Sequence, residues 1–260
     1  MHDSTHETRA FNYFQLQCLQ TLFSGMEENY ILIGDAACDI QFSRLAVGFR
    51  MTRGLDVVLC VEFMTEAFGG MFWRFITDGQ YWMQEKTDGT RLYRFRQPTS
   101  PDFPEMVEPF SRRPEAFAPA AGAKLTPIPM PEAVFSLSAI LLDDDYHSFI
   151  HSHSESVDGL SVLSSEGLLV LKAKALMDLD ERKTRGEHVD FKDVSKHRND
   201  VFRLVDVMYD DQAMELPEAI RAEMRMFAER IAGASIDVKN LRLASKPAEI
   251  HARLRRLLGL

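Results

Sequence analysis

The sequence predicts an α+β fold, with a mixed sheet and its helices first and a run of helices after. Three observations carry this reading. Short aliphatic and β-branched runs alternate with helical patterns up to about residue 110. Residues 112–132 then hold five prolines and many alanines, a linker composition that marks the best domain boundary. From Ser165 onward apolar residues recur almost entirely at helical spacing. The expected division is residues 1–130 for the sheet domain and 131–260 for a mainly helical domain that completes a cleft.

The elements follow in order. Met1–Ala10 is polar and charged, so no signal peptide is expected there. Phe11–Met26 spaces Phe14, Leu16, Leu19, Leu22 and Phe23 as an amphipathic helix. Tyr30–Ile33 is a short buried strand that ends on Gly34 and opens into a helix over Ala36–Ala46. Leu55–Val61 is a second strand, with one acid, Asp56, at its entrance. Thr65–Ile76 reads as a helix rich in aromatics (Phe68, Phe72, Trp73, Phe75), apolar enough to pack in a core or to seat a partner. Leu92–Phe95 and Glu105–Phe110 are strands around the loop Pro98–Pro104, and weaker strand patterns return at Val134–Leu142 and Leu160–Leu163. Leu141–His153 reads as an exposed helix or loop. Four helices close the chain: one from Ser165 with Leu168, Leu171, Ala175, Leu176 and Leu179 on one face, then Asp190–Met208, Pro217–Ala232 and Pro247–Leu258.

The bulk numbers bound the function. A chain of 260 residues, 45% hydrophobic and 27% charged, has the composition of a folded globular protein. A net charge of −9 argues against a protein whose main task is wrapping nucleic acid. Three cysteines, Cys18, Cys38 and Cys60, form no Cys-x-x-Cys pair and suit a reducing cytoplasm. No apolar run reaches the ~18 residues of a membrane span, so no membrane partner is expected.

Several residues could carry chemistry. Asp56 is an acid on an apolar strand, and Glu108 is another, inside Met106-Val107-Glu108-Pro109-Phe110. Acids in such places are costly to bury unless paired or metal-bound, and two on neighbouring strands can share Mg²⁺ with substrate phosphates. The alternative is an Asp capping a turn and an outward Glu on an edge strand. Gly34 at a strand-to-helix turn lets a phosphate approach free helix N–H groups, but Asp35 beside it would repel a phosphate unless a metal intervened. Lys172 lies in the middle of an apolar helix face, followed by Lys174 and Arg182, and could meet phosphates as a point charge or simply snorkel at the helix rim. Asp193 could orient Lys172 or an acceptor, or be an ordinary solvated helix acid. His147, His151 and His153 cluster without a cysteine, a weak zinc pattern. Walker-type and Rossmann glycine loops and the Gly-x-Ser-x-Gly motif do not occur.

Together Ile33-Gly34-Asp35, Gly54-Leu55-Asp56, Met106-Val107-Glu108, Lys172-Ala173-Lys174-Ala175 with Arg182, and Lys192-Asp193 resemble, in their order and context, the AbiEii-type nucleotidyltransferase family. This group, also called DUF1814, includes toxins of bacterial toxin–antitoxin and phage-abortive systems. The similarity runs over about residues 28–205. It implies a nucleotidyltransferase-like mixed-sheet domain followed by a helical domain. It implies Mg²⁺-dependent transfer of a nucleotidyl group from a nucleoside triphosphate to a hydroxyl on RNA or protein, in a cytoplasmic protein that has a cognate antitoxin as a possible partner. By the resemblance Asp56 and Glu108 hold the metal, Gly34, Asp35, Lys172 and Arg182 line the nucleotide site, and Asp56, Glu108, Lys172 and Asp193 serve catalysis. Two positions depart from the pattern: Gly54 stands where the first Asp of Asp-x-Asp is expected, and Asp35 where a second small residue is expected. Either the chain is a weakened relative that binds nucleotide on the same fold, or Asp35 takes the place of the missing carboxylate.

Overall fold

The structure, a computed structural model, describes residues 17, 19–21, 23–49, 54–60, 66–85, 91–111, 144–208 and 213–260. The proline-rich stretch 112–132, the strand pattern Val134–Leu142, Cys18 and most of Phe11–Met26 lie outside these residues. The described chain divides into two compact units. The hairpin Ser154–Leu163 belongs with the N-terminal unit, although it lies beyond the expected boundary at residue 130, whereas the helix before it belongs to the second.

The first unit is built on one mixed sheet. Its strands are β1 (Tyr30–Ile33), β2 (Gly54–Leu59), β3 (Trp82–Glu85), β4 (Arg91–Arg96), β5 (Met106–Ser111), β6 (Ser154–Val157) and β7 (Leu160–Leu163), in the spatial order β3-β4-β5-β2-β1-β7-β6. Pairs β2–β5 and β1–β7 are parallel and the rest antiparallel. Among the described residues α1 (Gly34–Arg44) and α2 (Glu66–Asp78) accompany the sheet.

One sheet face is sealed by aromatic packing. Phe68, Phe72 and Phe75 of α2 are buried against Tyr30 and Phe95, with ring centroids 6.2 Å apart for Tyr30–Phe68 and 6.3 Å for Phe72–Phe95, and Phe23 joins at 5.2 Å from Tyr30. Full burial of each such ring contributes about 1.5–3 kcal/mol. The three phenylalanines of α2 thus serve the core. Burial also pushes the Tyr30 hydroxyl up to about 12, against a hydrogen bond in which the Ser161 N–H donates to it. The hairpin β6–β7 turns through Asp158 and Gly159, both with positive φ, the two-residue loop whose twist matches paired strands. It is tied to α1: Gln41 Nε2 donates to the Leu163 carbonyl (3.0 Å) and to Glu155 (2.8 Å), and Arg44 donates to Glu155 (2.9 Å).

The second unit is helical: α3 (Asp144–Ser152), α4 (Ser165–Thr184), α5 (Phe191–Val207), α6 (Glu218–Ile231), α7 (Val238–Leu241) and α8 (Pro247–Leu257). Ser164 and Asp190 cap α4 and α5, each accepting a backbone N–H of the first turn. α3 corrects the reading of Leu141–His153 as exposed, because Tyr146, Phe149 and Ile150 are buried at helical spacing. No described helix is long and apolar enough to cross a membrane.

Candidate functional site

The parallel pairing of β2 with β5 sets the site. Register partners across these strands are Gly54 with Met106 and Asp56 with Glu108. Partners in register share a face, about 4.8 Å apart along the hydrogen-bonding direction. The two acids singled out from the sequence are therefore side by side on one face. Their neighbours Leu55 and Val107 point to the opposite, aromatic face and are buried there, so the polarity of the two faces follows from strict alternation. Glu108 is buried and Asp56 half-buried.

Gly34 completes the corner. Ile33 pairs with Asp56 across β1–β2, so the turn into α1 begins beside that carboxylate. Gly34 takes a φ of +67°, and a Cβ built there would overlap Asp56 Oδ2. Only glycine lets the backbone turn this tightly against the acid. The first turn of α1 follows, and the positive end of its dipole lies beside Asp56.

Asp35 is buried in that first turn, where an acid complements the helix dipole. It does not complete a trio with Asp56 and Glu108: among the described residues no group of three or more His, Cys, Asp and Glu side chains is placed to hold a metal ion. Gly54 itself lies beneath the Met106 side chain, with an added Cβ 3.0 Å from Met106 Cε.

Two features of this unit were not singled out from the sequence. Asp39, one turn beyond Asp35 on α1, is 3% exposed, and its Oδ1 has no hydrogen-bond partner among the described residues. Burial alone pushes its carboxyl up to about 6. Arg96, at the end of β4, pairs in register with Met106 and so lies on the face of Asp56 and Glu108. It is half-buried, and its Nε is shielded and without a hydrogen-bond partner among the described residues.

The remaining sequence candidates lie in the second unit. Lys172 is buried on α4 and ion-paired with Asp200 of α5 at 3.0 Å, the two side chains 5% and 1% exposed. The task of orienting Lys172, assigned to Asp193 from the sequence, falls to Asp200, and Asp193 is exposed in the first turn of α5. Asp200 was signalled by its place on the buried stripe of Val201, Leu204 and Val205. Arg182 is exposed and holds Glu187 at 2.8 Å, which keeps that carboxyl below its ordinary range. His147 and His151 lie one turn apart on α3, with ring centroids at 4.5 Å and ring planes tilted by 49°. Cys38 and Cys60 are buried free thiols.

No model of a protein family matches the chain, and neither does any curated protein or solved structure.

Proposed function

We propose that the Asp56–Glu108 face binds a Mg²⁺–nucleoside triphosphate and transfers its nucleotidyl group to a hydroxyl of RNA or protein. The observation that carries the reading is the parallel register Asp56↔Glu108, beside the glycine turn that presses Gly34 onto Asp56. Two adjacent carboxylates fit Mg²⁺, which takes few protein ligands and fills its remaining positions with water and phosphate oxygens. Asp56 and Glu108 would hold the ion, and its chemistry there is to draw charge from the phosphate oxygens.

The chain's own groups do the rest. The Gly34 turn lets phosphates approach the first N–H groups of α1. Asp56, the more exposed of the pair, takes the proton of the acceptor hydroxyl. That oxygen forms a bond to the α-phosphorus, the bond from phosphorus to the bridging oxygen breaks, and pyrophosphate leaves with the electron pair.

Gly54 favours a second reading, nucleotide binding without efficient transfer, because it leaves this face two acids rather than three. Incubation with α-labelled triphosphates, Mg²⁺, total RNA and protein separates the two. Transfer of label that Asp56→Asn abolishes supports the enzyme. Mg²⁺-dependent nucleotide binding without transfer selects the second reading, and absence of binding removes both.

A further inference from the structure

We propose that Arg96 is the phosphate-binding residue of this face and takes the terminal phosphate oxygens of a polyphosphate ligand. The inference deepens the nucleotide reading of Asp56 and Glu108 and rests on it.

The register places Arg96 on the correct face without any assumption about function. Phe95 pairs with Val107, and both are fully buried against the aromatic layer, so Arg96 and Met106, the next pair, point the other way. One row of that face reads Arg96, Met106, Gly54 across β4, β5 and β2, and Asp56 and Glu108 lie two residues further along β2 and β5.

The chemistry of Arg96 then asks for a ligand. A guanidinium stays charged at any physiological pH and carries five donors. Withdrawing it from water without a counter-ion is unfavourable. Arg96 is half-buried, and among the described residues it makes no hydrogen bond and no ion pair. Glu108 lies on the diagonal of that pair, about 7 Å away and within reach of a long side chain, yet the two form no ion pair. Asp56 lies one strand further. The guanidinium thus shares the face of the carboxylates without pairing with either.

A ligand that satisfies both ends must offer several anionic oxygens in a row. Some would share a divalent ion with Asp56 and Glu108, and others would accept from the guanidinium in the bidentate manner that favours arginine over lysine. A triphosphate has this form. A single phosphate held through a divalent ion at Asp56 and Glu108 does not extend to Arg96 and gains nothing from it.

The test is calorimetric titration of the full chain with Mg²⁺ and inorganic tripolyphosphate, each of the four ribonucleoside triphosphates, and the matching monophosphates. Arg96→Gln is expected to weaken tripolyphosphate and triphosphate binding about 10- to 100-fold, the scale of a lost charge-assisted bidentate contact, and to leave monophosphate binding within about twofold. Arg96→Lys recovers part of the loss. The thermal midpoint of Arg96→Gln stays level or rises, since no protein partner is lost. Equal triphosphate binding by wild type and Arg96→Gln overturns the role of Arg96 and leaves the carboxylate reading standing. A falling midpoint with unchanged affinity marks Arg96 as structural. Failure of the wild type to bind any of the polyphosphates overturns both.

Discussion

Asp39→Asn should change how the stability of this protein depends on pH. The Asp39 carboxyl is buried in α1, its Oδ1 has no hydrogen-bond partner among the described residues, and burial lifts it from the usual 3.8 to about 6. The folded state therefore holds a proton that the unfolded chain releases between these values. Stability that Asp39 permits is complete below pH 3.8 and is lost as pH rises through about 6. A shift of this size corresponds to at most about 3 kcal/mol. Asparagine never ionises, so the variant escapes this loss. Its amide brings two donors into the same buried place, and that adds a pH-independent cost of about 1–3 kcal/mol. The informative quantity is therefore the slope: the stability of Asp39→Asn minus that of wild type should rise by about 2–3 kcal/mol between pH 4 and pH 8. Taking the difference cancels the other carboxyls, including Glu187, whose shift has the opposite direction. Urea denaturation followed by circular dichroism at half-unit pH steps measures it. Parallel stability profiles for the two proteins would refute the claim that Asp39 is buried and unpaired.

Three further outcomes are expected. Gly34→Ala forces a Cβ into the Asp56 carboxylate at a left-handed φ and should lower unfolding free energy by more than about 2 kcal/mol, read by denaturant midpoint. Lys172→Met leaves Asp200 buried without its ammonium and should cost about 3–5 kcal/mol, whereas adding Asp200→Leu should restore most of it; additive losses in the double variant would show that the pair is not coupled. Gly54→Asp has room once the flexible Met106 tip shifts, and under the proposed reading it should tighten Mn²⁺ binding about tenfold or more by calorimetry; unchanged affinity would place residue 54 outside the metal's reach.

The local elements were legible because each carries its own signal. Tyr30–Ile33 ends on a glycine, the Phe-rich pattern of α2 has helical spacing, and Ser165 and Asp190 stand at the starts of the helices expected there. The two acids stood out because an apolar strand tolerates a carboxylate only for a reason. What no local pattern supplies is register. β2 and β5 are some fifty residues apart, and a slip of one residue would send Asp56 and Glu108 to opposite faces. Arg96 was missed for the same cause: at a strand end it reads as a solvated charge until its partner Met106 is known. Asp39 carries no local mark of burial within the helix read over Ala36–Ala46, yet Asp35 through Phe42 are all buried. The hairpin β6–β7 had its signal in Asp158-Gly159 between Val157 and Leu160, and only its second strand was read.

Gly54 and Arg96 take on a joint meaning when charge is counted on one face. Glycine at position 54 removes one negative charge from the β2 strand, and Arg96 on the same face adds a positive charge that no described protein group neutralises. A site with three carboxylates and no cation requires two metal ions before it can receive a polyphosphate. A site with two carboxylates and an unopposed guanidinium needs one, because the arginine covers the phosphate end that a second ion would otherwise cover. In the proposed reading the protein is thus adapted to a single divalent ion, with a fixed cation in place of the second. A Mg²⁺ dependence of triphosphate binding with a stoichiometry of one ion, rising to two in Gly54→Asp combined with Arg96→Gln, is the outcome this argument requires. A wild-type stoichiometry of two would break it.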